Sequence, residues 1–96
     1  MAAHRERDHD YGRVVVILNE RWRVVVCRDG IQWILQKRDG ERSGQPRWTG
    51  KSYHVGRDSL IRVCRRLCGS CDPTGLTTLE NLPAKCPLPD NSKAKS

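Results

Sequence analysis

Two runs rich in β-branched residues, Arg13 to Leu18 and Trp22 to Cys27, stand either side of Asn19-Glu20-Arg21, a spacer of hairpin length. The pattern predicts an antiparallel pair. Asp29-Gly30 then supplies residues that tolerate positive φ, and Ile31 to Arg38 reads as a third strand. In that strand Ile31, Trp33 and Leu35 share one face while Gln32, Gln36 and Arg38 share the other, and Ile34 breaks the alternation. Asp39 to Pro46, with two glycines and a proline, is expected to be a loop, and Arg47 to Val55 a fourth, weaker strand.

From Arg57 to Cys68 the period changes. Leu60, Ile61, Cys64, Leu67 and Cys68 form one helical stripe, with Asp58, Arg62, Arg65 and Arg66 on the other side and Gly69 as the stop. A shorter helix follows Asp72, which can cap it with Pro73 at the first position; Leu76, Leu79 and Leu82 would be its inner edge and Pro83 its end. The fold class is therefore α+β: an antiparallel three- to four-stranded meander, one amphipathic helix packed on one face, and a second short helix.

The ends differ in composition. Residues 1–11 are mostly His, Arg, Glu and Asp without periodicity, and 83–96 carry three prolines and a polar finish, so a mobile leader and tail are expected around a domain spanning 12–82. No run approaches the roughly 20 apolar residues of a membrane span, and the charged start is unlike a signal peptide. A cytoplasmic location without membrane contact follows as the expectation. The odd count of five cysteines then argues for reduced thiols.

Charge changes the picture most. Residues 13–69 hold 13 Lys/Arg against 5 Asp/Glu, an excess above the +7 of the whole chain. The positive charge thus belongs to the folded part, interleaved with Trp22, Trp33, Trp48 and Tyr53, and an acidic surface is its natural partner. On the wetter sheet face, Arg23, Gln32, Gln36 and Arg38 are side chains able to read base edges, while Lys37, Arg42, Arg47 and Lys51 can neutralise phosphates. Trp33 reads as core; Trp48, beside the Gly/Pro loop, suits either core packing or stacking on a base. The competing reading of the whole set is a solvated face on a basic protein.

Other chemistry finds less support. Cys64, Cys68 and Cys71 with Cys86 or His54 form a possible zinc set, but Cys64 and Cys68 fall on the apolar stripe and only one C-x2-C exists, so buried thiols and no cofactor are the favoured reading. Cys68-Gly-Ser-Cys71 has redox spacing at the helix C-terminus, where the dipole has the wrong sign to lower a thiol pKa. Gly50-Lys51-Ser52 imitates the end of a phosphate loop, yet Arg47-Trp48 fills the cradle. With no paired carboxylates and no evident partner for His54, the chain reads as a non-enzyme.

Two resemblances bear on function. The order of sheet and helix over Arg21 to Cys68 is similar to DNA-binding modules of the AP2 type and to the arm-binding domains of tyrosine recombinases, which implies a sheet face laid into a major groove. Ile31 to Arg38, Trp48 to His54 and Leu60 to Leu67 resemble short, functionally uncharacterised proteins of alphaproteobacterial genomes and their prophages. That likeness implies no site residues. The phage setting implies an alternative to a DNA or RNA partner: a protein-binding inhibitor or accessory factor of the anti-CRISPR kind, acting on a protein with an acidic surface.

Overall fold

The chain forms four strands and two helices: β1 (Val14–Ile17), β2 (Trp22–Val26), β3 (Trp33–Arg42), β4 (Gln45–His54), α1 (Arg57–Cys68) and α2 (Pro73–Glu80). The computed structural model describes Arg7, His9 and residues 11–42, 44–69 and 71–86. All neighbouring strands are antiparallel, in the order β1-β2-β3-β4. The fold class is the α+β meander expected.

Local chemistry explains the first two turns. The Asn19 side chain accepts from the backbone N–H groups of Arg21 and Trp22 at 2.8 and 3.0 Å, folding the chain back between β1 and β2. Between β2 and β3, Gly30 adopts a φ of 74° and its N–H donates to the Cys27 carbonyl at 2.9 Å. Gln32 lies in this turn, before β3 begins.

The expected loop at Asp39 to Pro46 is instead the far end of a long hairpin. Glu41 pairs with Pro46 and Arg42 with Gln45, past an irregularity between Arg38 and Glu41. Gly40, at a φ of 61°, sits in that irregularity, and Gly44 turns the chain at 79°. Pro46 is tolerated because β4 is an edge strand, where a missing N–H costs no ladder bond. These turn-forming residues therefore shape strands rather than interrupt them.

One face of the sheet carries the main core. Leu18, Val24, Trp33 and Leu35 cluster with Leu60 and Cys64 of α1 and Leu79 of α2, and Leu76 and Leu82 pack against the cluster as the expected inner edge of the second helix. The bounds of α1 match the apolar stripe, with Asp58 in its first turn and Arg65 and Arg66 in its last. Asp72 caps α2 by accepting from the Thr74 N–H at 3.0 Å. Gly75 brings α2 close to β1: an added Cβ would stand 3.2 Å from the Leu18 side chain and 3.4 Å from the Ile17 carbonyl.

The opposite face is also occupied. Tyr11, Val25, Cys27 and Ile34 form a second cluster, and the Tyr11 hydroxyl donates to the Val26 carbonyl at 2.7 Å. Ile34, which breaks the alternation of the third strand, is the floor of this cluster. Beside it lies a buried polar pair: Arg23 Nε donates to Gln36 Oε1 at 2.7 Å, with each residue only 2% exposed.

The packed unit extends past both expected boundaries. Tyr11 is buried, and Arg7 and His9, both in the expected leader, bond to the sheet. Downstream, the Cys86 N–H donates to the Val55 carbonyl at 2.7 Å, and the Arg57 N–H to that of Ala84 at 2.8 Å, so the chain stays packed beyond Leu82. The remainder of the expected tail, 87–96, lies outside the described residues.

His54 joins the end of β4 to α1. Its Nδ1 is 2.7 Å from the Ser59 hydroxyl and its Nε2 contacts that of Ser52. Burial, and then the nearby Arg62 charge, hold its pKa below the usual 6.5.

Two outcomes follow from this packing. Replacing Gln36 with Leu leaves the buried guanidinium of Arg23 short of an acceptor and should lower unfolding free energy by about 2 kcal/mol, read by urea denaturation. An unchanged midpoint would show that Gln36 does not stabilise the arginine. For His54, the unfolded chain takes up the proton first as pH falls, because its histidine has the higher pKa. The stability tied to neutral His54 is thus complete above pH 6.5 and is lost as pH drops through the folded value. Urea curves at about pH 7.5 and 5 should show this loss, and the His54→Gln variant should show less of it.

Candidate functional site

Which side chains share the face away from the helices is decided by one extra residue in β4. Ser52 pairs with Leu35 and Gly50 with Gln36, leaving Lys51 as a bulge between them. Strict alternation from Trp48 would put Ser52 and His54 on its face. The bulge reverses this, so Tyr53 joins Trp48 and Gly50 while His54 turns toward Ser59 on α1.

Trp48 is held from several sides and is 5% exposed. The Arg23 guanidinium lies 4.3 Å from its ring centroid, and the His9 ring runs parallel to it, 11° between planes and 6.3 Å between centroids. Its backbone N–H donates to the Arg7 carbonyl at 3.0 Å and its indole N–H to His9 Nδ1 at 3.3 Å. Arg23 also donates from Nη1 to the His9 carbonyl at 2.9 Å. Arg7 and His9 thereby form a strap on the sheet.

Next to the strap opens a basin of about 680 Å³. Ile34, Gln36 and Gly50 contribute to its floor, Trp48, Thr49 and Tyr53 to its β4 side, and Arg7, Arg28 and Arg47 bring three guanidinium groups. Among the described lining residues Asp39 is the carboxylate, Lys51 stands 3.8 Å from it, and the balance is positive. Tyr53 is 56% exposed, the most open aromatic of the basin.

The residues expected to bind divide sharply. Arg47 lines the basin, and Lys51 pairs with Asp39 at its border. Arg23 and Gln36 share one face as expected, but they are buried and bonded to each other, which corrects their reading as an open base-reading surface, while Trp48, buried under Arg23, takes the core-packing side of its two readings. Gln32 is half-buried in the turn, where its carbonyl accepts from the Cys27 N–H at 2.9 Å. Lys37 points to the other side of the sheet, its ammonium 5.9 Å from the Trp22 ring centroid. Arg38 is exposed and borders a separate depression with Glu20, Arg21 and Glu41. Arg42 pairs with Gln45 near the hairpin tip, and its side chain lies outside the described residues.

Arg7, Arg28 and Tyr53 were not among the expected site residues. Arg7 falls in a segment that composition alone assigns to a leader, and Arg28 in a turn. Tyr53 is hidden by the bulge, which no alternation count anticipates. The other basic surface, formed by Arg62, Arg65 and Arg66 around Ile61, lies on α1 and so on the opposite side of the sheet. There Arg65 is paired with Glu80 at 3.1 Å.

Serine hydroxyls occupy both ring nitrogens of His54, which positions the ring between β4 and α1. The Cys68 thiol is pushed far up by its hydrogen bond with Cys64 and by burial, and Cys71 is raised to about 11, chiefly by burial. Burial likewise raises Cys86, whose thiol lies 3.9 Å from the Gly30 carbonyl, with Cys27 as a nearby thiol. Thiols held protonated in this way are weak nucleophiles at neutral pH. Among the described residues no group of three or more His, Cys, Asp or Glu side chains is arranged to hold a metal ion, and no helix among them is long and apolar enough to cross a membrane. Comparisons with known protein families, curated proteins and solved structures find no match to this chain.

Proposed function

We propose that this chain is a small, non-enzymatic binding module that takes nucleic acid in the sheet-side basin. The observation that carries the reading is the placement of Arg7, Arg28 and Arg47 around one concave surface, where the carboxylate among the described lining residues, Asp39, stands beside Lys51. Guanidinium groups match phosphate oxygens in charge and in fork geometry, and a groove of one sign concentrates an anionic polymer. The α1 arginines, facing the other way, would add to the overall attraction without touching the same ligand segment.

A second reading rests on that α1 surface. Arg62 and Arg66 flank Ile61 in a shallow depression that also includes Asp58 and Arg65, a mixture of apolar area and net positive charge suited to an acidic protein patch. It corresponds to the inhibitor or accessory role implied by the prophage resemblance.

Fluorescence anisotropy with labelled mixed-sequence DNA and RNA separates the two. Basin binding predicts measurable affinity at low salt, falling as salt rises. An Arg28→Ser/Arg47→Ser variant should lose about tenfold in affinity and lower the salt slope by about 1.5, since each phosphate contact contributes roughly 0.7 to 0.9. An Arg62→Ser/Arg66→Ser variant should change the affinity by less than about threefold. No retention of any DNA or RNA at low salt would sink the nucleic-acid reading, and a larger loss in the α1 variant would move the site to the helix.

A further inference from the structure

We infer that the ligand of the basin is single-stranded nucleic acid, held by stacking of a base on the Tyr53 ring, with Gly50 as the residue that seats this ring. The inference rests on the nucleic-acid reading above and narrows it.

Reading a duplex from a sheet face requires polar side chains that project into the groove and reach base edges. The two on this face best suited to that, Arg23 and Gln36, are spent on each other. Trp48 is enclosed by Arg23 and His9. What the basin does present is positive charge around one exposed aromatic ring. This is the pairing that single strands require: cations that track the backbone, and a π-surface that any unpaired base can cover.

The placement of Tyr53 depends on Gly50. The hydroxyl end of the ring passes over the Gly50 α-carbon. A Cβ built there would collide with the Tyr53 hydroxyl, stand 2.9 Å from Cζ and lie 3.2 Å from the Ile34 Cγ2. The φ of Gly50 is not in the left-handed region, so what the glycine supplies here is room for the end of the ring rather than an unusual backbone conformation. Together, the missing side chain and the Lys51 bulge lay the ring along the sheet beside the arginines. A ring ordered before binding loses less entropy when a base covers it. Because every base has a π-face, the site should be tolerant of sequence.

The test uses the full chain with a mixed-sequence single strand, as DNA and as RNA, and the matching DNA duplex. Wild type should bind the single strands at least about tenfold more tightly than the duplex. Tyr53→Leu should weaken single-strand binding by about tenfold or more while leaving the weaker duplex binding unchanged, and Tyr53→Phe should retain single-strand binding. Gly50→Ala should weaken single-strand binding in the same direction as Tyr53→Leu. A 2-aminopurine base in the single strand should be quenched on binding wild type and much less on binding Tyr53→Leu, a readout of stacking that electrostatic contact does not move. Equal or tighter duplex binding, or a Tyr53→Leu variant with unchanged affinity and quenching, would overturn the inference. If the Arg28→Ser/Arg47→Ser variant still lost affinity in that case, the basin would remain a nucleic-acid site of another kind. Failure of wild type to bind any of the probes would remove both readings.

Discussion

Arg23 brings a permanent positive charge to a position only 2% exposed, and much of the sheet's second face is arranged around that fact. A buried guanidinium loses hydration worth several kcal/mol, so its donors must find acceptors and its plane a polarisable neighbour. Gln36 supplies one acceptor across the β2–β3 ladder, the His9 carbonyl another, and Trp48 the ring beneath. Meeting these needs ties His9, and with it Arg7, to β4. The strap, the burial of Trp48 and one wall of the basin are consequences of the same buried cation.

The bulge at Lys51 supplies the second constraint. By reversing the facing of the last residues of β4, it sends His54 to Ser59 on α1 and Tyr53 to the basin. One inserted residue thus couples the anchoring of the first helix to the placement of the exposed ring. The coupling is geometric: sliding the register by one residue would exchange the two, burying a tyrosine where a histidine now bonds two serines.

What the sequence made legible follows the range of the forces involved. The α1 stripe depends on residues three and four apart, so the bounds Arg57–Cys68 could be read directly, as could the turns at Asn19 and Asp29-Gly30. The Asp39 to Pro46 span was misread because glycine and proline signal a break only when their neighbours do not pair; here Gly40 serves an irregularity and Pro46 an open edge. At the site, the excess of positive charge and Arg47 were readable. The closure of Arg23 and Gln36 was not, since their contact spans 13 positions and the His9 contact spans 14. No periodicity reports a long-range polar bond of this kind. Arg7 was missed because a charged, aperiodic segment carries no local mark of being tied down.

The division of positive charge between two sides of the sheet has a kinetic meaning. Screening at physiological ionic strength limits direct charge–charge interaction to about 8 Å, so arginines on α1 contribute little to the energy of a ligand seated against Arg28 and Arg47. Before contact, however, an approaching polyanion meets the summed field of the whole molecule, to which Arg62, Arg65 and Arg66 contribute. If the basin binds a polyanion as proposed, the helix arginines would favour encounter and the basin would govern how long the ligand stays. On that proposal a strongly basic chain with a small contact surface is not paradoxical: most of its charge would serve capture, and only the few groups beside Tyr53 would serve retention.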